Sequence, residues 1–207
     1  MQNSEILCGC FPSDLDGTEY IASWPSFTLP TSFSYKNIMP PVRNQGRAST
    51  CVCQTLTGML DVLHNSMVGV TGICNNYSID ELYDQRLNKN LEGMQFKTAL
   101  KYLRHHGLGG QKIANYAMCK SIIPIKQAIV MNGPVAAGLP VYEDAGTKFW
   151  LPYGRMLGGH AVTLVGYNKK GFIVRNSWGL GWGTRGYSTI TYDDFSSSFF
   201  ECWTITL

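Results

Sequence analysis

The sequence predicts an α+β fold of two lobes with a groove between them. Two observations carry the prediction. From Ser49 to Gly133 apolar residues recur at three- and four-residue intervals, the period of buried helices. After Gly133 the pattern changes to short apolar runs separated by turn residues, the pattern of strands. Helices gathered in one half and strands in the other form separate layers packed on each other.

Leu56, Met59, Leu60 and Leu63 predict a buried helix beginning near Cys51. Ser78-Ile-Asp-Glu81 is a capping box that starts a short helix containing Leu82, Tyr83 and Leu87. A third helix carries Phe96, Leu100 and Leu103 and ends at Gly107. A fourth is expected to take Pro124 as its first residue, to bury Ile125, Ala128 and Ile129, and to end near Gly133. Strands are expected over residues 134–141, 161–167, 172–175, 187–191 and 202–207. Residues 1–28 show no clean period, and Pro12 and Pro25 interrupt them, so they read as an extended arm before a domain over 29–207.

The 207 residues are 44% hydrophobic and 15% charged, which suits a folded core and not a disordered chain. The net charge of +3 is too small to argue for nucleic acid. Residues 1–28 carry Glu5, Asp14, Asp16 and Glu19 and no Lys or Arg, so an acidic arm precedes a basic body. No apolar run is long enough to span a bilayer, and no basic segment leads into an apolar stretch at the N-terminus. The expectation is a cytoplasmic protein, with a virion or host-cell compartment as the corresponding place for a viral one. Seven cysteines, an odd count, suit a reducing compartment without internal disulfides. Cys8-Gly-Cys10 and Cys51-Val-Cys53 lack the two-residue gap of common zinc knuckles, so neither is read as a metal site, and no cofactor is expected.

Cysteine-based acyl transfer needs a thiolate, an imidazole, a group that orients the imidazole, and donors for an oxyanion. Cys51 stands at a helix N-terminus, whose partial positive charge favours a thiolate. His160 follows Gly158-Gly159 at the expected start of an apolar strand, from which it can reach across a groove. Asn176 ends another strand and offers a carboxamide to the imidazole N–H. Gln45 lies on a glycine-marked loop six residues before Cys51 and offers an amide to the oxyanion.

Four segments carry a resemblance to the papain-like cysteine peptidases: Pro41-Val-Arg-Asn-Gln-Gly46, the Cys51 helix, Gly159-His-Ala-Val-Thr-Leu-Val-Gly-Tyr167, and Val174-Arg-Asn-Ser-Trp-Gly-Leu-Gly-Trp-Gly183. Leu29-Pro30 resembles the usual start of the mature domain. The resemblance implies a papain-like two-lobe fold and a cysteine endopeptidase. It assigns Cys51 as nucleophile, His160 as base, Asn176 as orienting group and Gln45 as oxyanion donor. It places Trp178 over the His–Asn hydrogen bond, Gly93 and Met94 along the substrate backbone, and Gly138 and Ala161 in the walls of a roomy apolar pocket. It implies a peptide or protein substrate. An acyltransferase or transpeptidase on the same fold, or an inactive peptide-binding scaffold, are the alternatives.

The chain departs from the common pattern around the nucleophile, C-G-[SA]-C-[WY]. It reads Ala48-Ser-Thr-Cys51-Val52, without the first cysteine or the aromatic. His160 follows Cys51 by 109 positions, where roughly 130–150 are usual, so the middle is shortened. These departures resemble the disulfide-poor bacterial or viral members with a short N-terminal extension. The arm is expected either to strap one lobe or to lie across the groove and block Cys51.

Overall fold

A computed structural model describes residues 8–73, 75, 77–87, 89–144 and 146–207. In chain order the elements are β1 (Cys10–Phe11), β2 (Phe33–Ser34), α1 (Cys51–Met67), α2 (Ile79–Tyr83), β3 (Met94–Gln95), α3 (Phe96–His105), β4 (Asn115–Met118), α4 (Ile122–Met131), β5 (Val135–Tyr142), a 3₁₀ turn (Gly146–Lys148), β6 (Met156–Asn168), β7 (Gly171–Arg175), β8 (Tyr187–Thr191), α5 (Tyr192–Ser198) and β9 (Glu201–Thr206). A seven-stranded antiparallel sheet runs β4-β9-β5-β6-β7-β8, with β2 added on β6. The α+β architecture is the one the sequence predicts.

Helix α1 runs between the two lobes, which is why thirteen of its seventeen residues are buried. Leu56, Met59 and Leu60 join Phe96, Leu100 and Leu103 of α3 in one core. A second core lies under the sheet, around Trp150, Val162, Leu164, Phe172 and Phe195. The buried carboxylate on α1 is paired: Asp61 accepts from Arg43 Nη2 at 2.6 Å and from the Asn75 amide at 2.8 Å. A buried carboxylate without such partners would cost several kcal/mol, on the order of the penalty for an unpaired ion.

The Ser78 cap forms as the sequence requires, with its hydroxyl accepting from the Glu81 amide at 3.0 Å. Gly107 takes φ 81° just past α3, the left-handed conformation that glycine supplies at helix ends. Three boundaries differ from the expectation. Helix α2 ends at Tyr83, so Leu87 lies outside it, exposed. Helix α4 starts at Ile122 behind Ser121, so Pro124 is its third residue. Proline fits there because the first turn leaves its amides unpaired in any case. Strand β6 begins at Met156, so His160 lies inside a strand and not at its start. Gly158 and Gly159 stay paired with Val141 and Pro140 of β5, which extends the strand past the expected boundary.

Residues 8–22 cross both lobes. Cys10 and Phe11 pair in parallel with Met94 and Gln95. Further on, Ile21 bridges Met118, and the Ala22 amide donates to Met118 O at 2.9 Å. The arm therefore lies across the groove at Cys8–Phe11 by position and straps the helical lobe and β4 beyond it.

Candidate active site

Four elements converge on the groove. The loop before α1 is held by backbone bonds to the loop after β7: Gln45 N donates to Ser177 O at 2.8 Å, and Gly179 N to Arg43 O at 3.0 Å. Arg175, buried at the end of β7, donates to the carbonyls of Pro40 and Pro41 at 3.3 and 2.9 Å. These ties fix the Gln45 loop against Asn176, although 131 residues separate the two in sequence.

His160 and Asn176 meet at 2.7 Å, Nε2 to Oδ1. Asn176 Oδ1 also accepts from the Ser177 amide at 2.7 Å, so that atom is an acceptor and His160 Nε2 is the donor. The neutral ring therefore carries its lone pair on Nδ1, which is buried and has no hydrogen-bond partner. Trp178 covers the pair, its ring centroid 4.4 Å from the imidazole at an interplanar angle of 31°. Phe149 closes the other side, edge-on to His160 at 5.4 Å, and touches Trp178 at 5.0 Å.

Cys51 opens α1. The amides of Ala161, Gly9 and Val52 point at its sulfur, so His160's neighbour, the arm and the helix N-terminus all meet there. Gln45 lies on the loop that leads into α1. Its Nε2 donates to Ala48 O at 2.8 Å, and its Oε1 accepts from Ser177 Oγ at 2.6 Å. A primary amide has two N–H groups, so one of Gln45's remains for a ligand.

Burial sets the electrostatics. With residues 8–11 in place, Cys51 and His160 are fully buried. Burial pushes the Cys51 thiol up to about 12, against the three amides that favour the thiolate. Burial likewise lowers His160 to about 4, opposed by its bond to Asn176. Desolvation outweighs the helix terminus here, so the covered pair is a neutral thiol and a neutral imidazole. The sequence expectation of a thiolate at Cys51 does not hold in this covered state.

Gly93 and Met94 lie on one side of the covered groove, and Gly158 and Gly159 on the other. Met94 N donates to Gly9 O at 2.8 Å. A Cβ on Gly93, which has φ 107°, would meet the Phe11 ring at 2.7 Å, and one on Gly159 would meet Cys10 O at 2.2 Å. The arm's backbone thus rests directly on glycine backbone on both walls. Gly138 pairs with Ala161 in the sheet, as a shared wall requires. The roomy pocket expected between them is partly filled, because the Phe200 ring lies 2.4 Å from where a Cβ on Gly138 would be.

Several groups escaped the sequence reading. Lys97, mostly buried, collects the arm's acids: it donates to Glu19 and to Asp14 O (3.0 Å) and pairs with Asp16 at 3.0 Å. Glu201 accepts from the Ser13 amide at 3.2 Å and from Trp203 Nε1 at 2.7 Å. Phe149 comes from a turn-rich segment with no sequence signal. Ser177 sits within the Asn-Ser-Trp-Gly block and could have been read from it. Cys8, Cys10, Cys51, Cys53, Cys119 and Cys202 are free thiols, while Cys74 lies outside the described residues. Among the described residues no group of three or more His, Cys, Asp or Glu is placed to hold a metal ion. No described helix is long and apolar enough to cross a membrane.

Fold and site together resemble those of papain-like cysteine peptidases: a two-lobed α+β body, a cysteine heading the central helix, and a histidine–asparagine pair on the adjoining sheet. The family signature described as Papain family cysteine protease matches residues 111–201. Cysteine proteinase 1 of Dictyostelium discoideum is 25% identical over 90% of this chain and 67% of its own length. Papain of Carica papaya is 28% identical over 75% of this chain and 52% of its own. The chain thus spans between half and two thirds of the length of these relatives. Among solved structures, xylellain, a cysteine protease from Xylella fastidiosa, superposes with a TM-score of 0.79 at 20% identity, over 96% of this chain and 95% of its own. Procathepsin B S9 from Trypanosoma congolense gives a TM-score of 0.79 at 17% identity, over 97% and 86%.

Proposed function

We propose that this chain is a cysteine endopeptidase held latent by its own N-terminal arm. The observation that carries the reading is the 2.7 Å bond from His160 Nε2 to Asn176 Oδ1, which leaves Nδ1 free as a base on the residue next to Ala161, whose amide points at the sulfur that heads α1. When the arm leaves, water returns to the groove and the desolvation that keeps Cys51 and His160 neutral is relieved. The helix N-terminus and the Val52 and Ala161 amides then favour a thiolate, and His160 takes the proton at Nδ1.

The Cys51 thiolate attacks the scissile carbonyl. The oxyanion accepts from the free Gln45 N–H and a backbone amide at the start of α1. His160, as imidazolium, protonates the departing amine, leaving a thioester. It then takes a proton from water, which attacks the thioester and releases the acid. Asn176 positions the ring throughout, and Trp178 keeps water from the His–Asn bond.

In the covered state the Gly9 N–H points at the sulfur, which supports an arm that occupies the groove. Two experiments test the reading. A fluorogenic peptide library assayed under reducing conditions should be hydrolysed by the chain lacking residues 1–28 and far more slowly by the full chain. Cys51→Ala in the shortened chain should show no turnover, and undiminished turnover there would overturn the peptidase reading.

A further inference from the structure

The sequence motif Cys8-Gly-Cys10 has no part in the chemistry so far, yet it lies on the nucleophile. The Gly9 amide points at the Cys51 sulfur. The Cys8 Cα is about 2.4 Å from that amide nitrogen by covalent geometry, so Cys8 adjoins the residue whose amide points at the sulfur. A Cβ on Gly158 would fall 2.8 Å from Cys8 Cβ and 3.4 Å from Cys8 Sγ. Cys8 is therefore seated on the strand that carries His160, two residues before it. Of the six described cysteines only Cys8 is not buried. Cys10 is buried, with its Sγ turned to Phe11 O at 4.0 Å.

We propose that Cys8 and Cys51 form a redox latch, a disulfide that fastens the arm over the nucleophile under a two-electron oxidant such as hydrogen peroxide. It rests on reading Cys51 as the nucleophile and residues 8–11 as its cover. The more exposed Cys8 thiol is oxidised first, giving a sulfenic acid and one water. The Cys51 sulfur then attacks the Cys8 sulfur. Its proton goes to the unpartnered Nδ1 of His160, and hydroxide leaves Cys8 and is protonated to water. Two thiols and one peroxide become one disulfide and two waters. A small slide of the arm supplies the Cα separation of about 4.4–6.8 Å that a disulfide requires. Burial holds both thiols protonated, so closing the latch takes sustained oxidant and not a trace.

The latch protects as well as silences. A nucleophilic thiol left open to peroxide proceeds to irreversible sulfinic acid, whereas a disulfide returns to thiol on reduction. Reduced cells would release the arm to its ordinary equilibrium, and oxidised surroundings would hold it closed.

The test treats the reduced full chain with hydrogen peroxide, blocks remaining thiols with iodoacetamide, and maps non-reduced peptides by mass. A cross-linked pair of the Cys8 and Cys51 peptides, two hydrogens lighter than their sum, is expected. Turnover of a small peptide should be lost on oxidation and return with dithiothreitol. Cys10→Ser should keep the cross-link. Cys8→Ser should abolish it and leave Cys51 recovered as sulfinic acid after prolonged treatment. A cross-link from Cys10, or no cross-link with Cys51 recovered as carbamidomethyl or sulfinic forms, overturns the latch. The shortened chain assayed alongside separates the two ideas: its activity with Cys51 intact and not as Cys51→Ala upholds the peptidase reading whatever the latch does.

Discussion

Gly9→Ala separates the arm's hold from the body's chemistry, because it changes the arm and leaves the groove untouched. A Cβ at residue 9 would lie 2.3 Å from Ser49 O, 2.6 Å from its carbonyl carbon and 2.9 Å from its Cα. These are backbone atoms at the mouth of α1, so they cannot step aside as a flexible side chain would. Relief requires the arm to move by about 1 Å, since carbon–oxygen contacts settle near 3.5 Å. That move stretches the Met94 N to Gly9 O bond, now 2.8 Å, and lifts the Gly9 amide from Cys51. Overpacking of this kind costs about 1–3 kcal/mol. At about 1.4 kcal/mol per tenfold, the open fraction rises by roughly 5- to 150-fold, until the open form dominates. The assay is initial-rate hydrolysis of a fluorogenic peptide under reducing conditions, with iodoacetamide labelling of Cys51 in parallel. Both rates should rise toward those of the chain lacking residues 1–28. A folded Gly9→Ala protein that matches wild type in both would refute the gate and leave the arm a strap.

The remaining predictions follow from the same contacts. His160→Ala in the shortened chain should lose nearly all turnover, and Asn176→Ala less, because the asparagine orients the ring and transfers no proton. Gln45→Ala should lower kcat by about 10²–10³, the usual cost of one oxyanion donor, and an unchanged kcat would remove Gln45 from that role. Docking onto Lys97 lowers the Glu19 carboxyl, and Thr18 followed by Lys97 lowers Asp16, so their contribution to holding the arm is whole at neutral pH and is lost as pH falls through the carboxylate range. Activity of the full chain relative to the shortened one should therefore rise on acidification from about pH 7 toward about 4, and Lys97→Met should flatten that rise. Phe200→Ala should clear the space over Gly138 and raise kcat/KM for peptides with bulky apolar side chains relative to small ones by about tenfold or more, as a few methylenes of pocket space do.

Local features of the fold were legible because each has a local cause. The spacing of Leu56, Met59 and Leu60 placed α1, and the Ser78 hydroxyl placed α2. Strand β8 could be read from its β-prone residues Tyr187–Thr191, which follow Gly186. Non-local features were not legible. β4 exists because Asn115–Met118 pairs with Thr206–Trp203, a partner nearly 90 residues away. α5 is built from Ser and Asp and owes its place to the Thr191 cap and to Phe195, which is buried in the sheet-side core.

The types and spacings that a cysteine peptidase demands were visible in Cys51, His160, Asn176 and Gln45; in the fold His160 bonds Asn176, Gln45 bonds Ser177, and the Ala161 amide points at Cys51. Their protonation was not visible. A helix N-terminus alone argues for a thiolate at Cys51, but burial reverses it, and a sequence does not show what covers what. The acidity of the arm hinted at a basic seat, yet only the structure names Lys97, which in the sequence is an ordinary helix lysine.

The central claim is that Cys51 is the nucleophile of a thioester-forming peptidase. Its most direct measurement uses the chain lacking residues 1–28, reduced and treated with a peptidyl epoxide at mildly acidic pH. Intact mass and peptide mapping then report how many thiols are modified and where. The account predicts a single adduct on Cys51, formed in step with the loss of peptide hydrolysis and absent from Cys51→Ala. An adduct on any other cysteine that accompanies loss of activity, or hydrolysis that continues after Cys51 is fully modified, would contradict it.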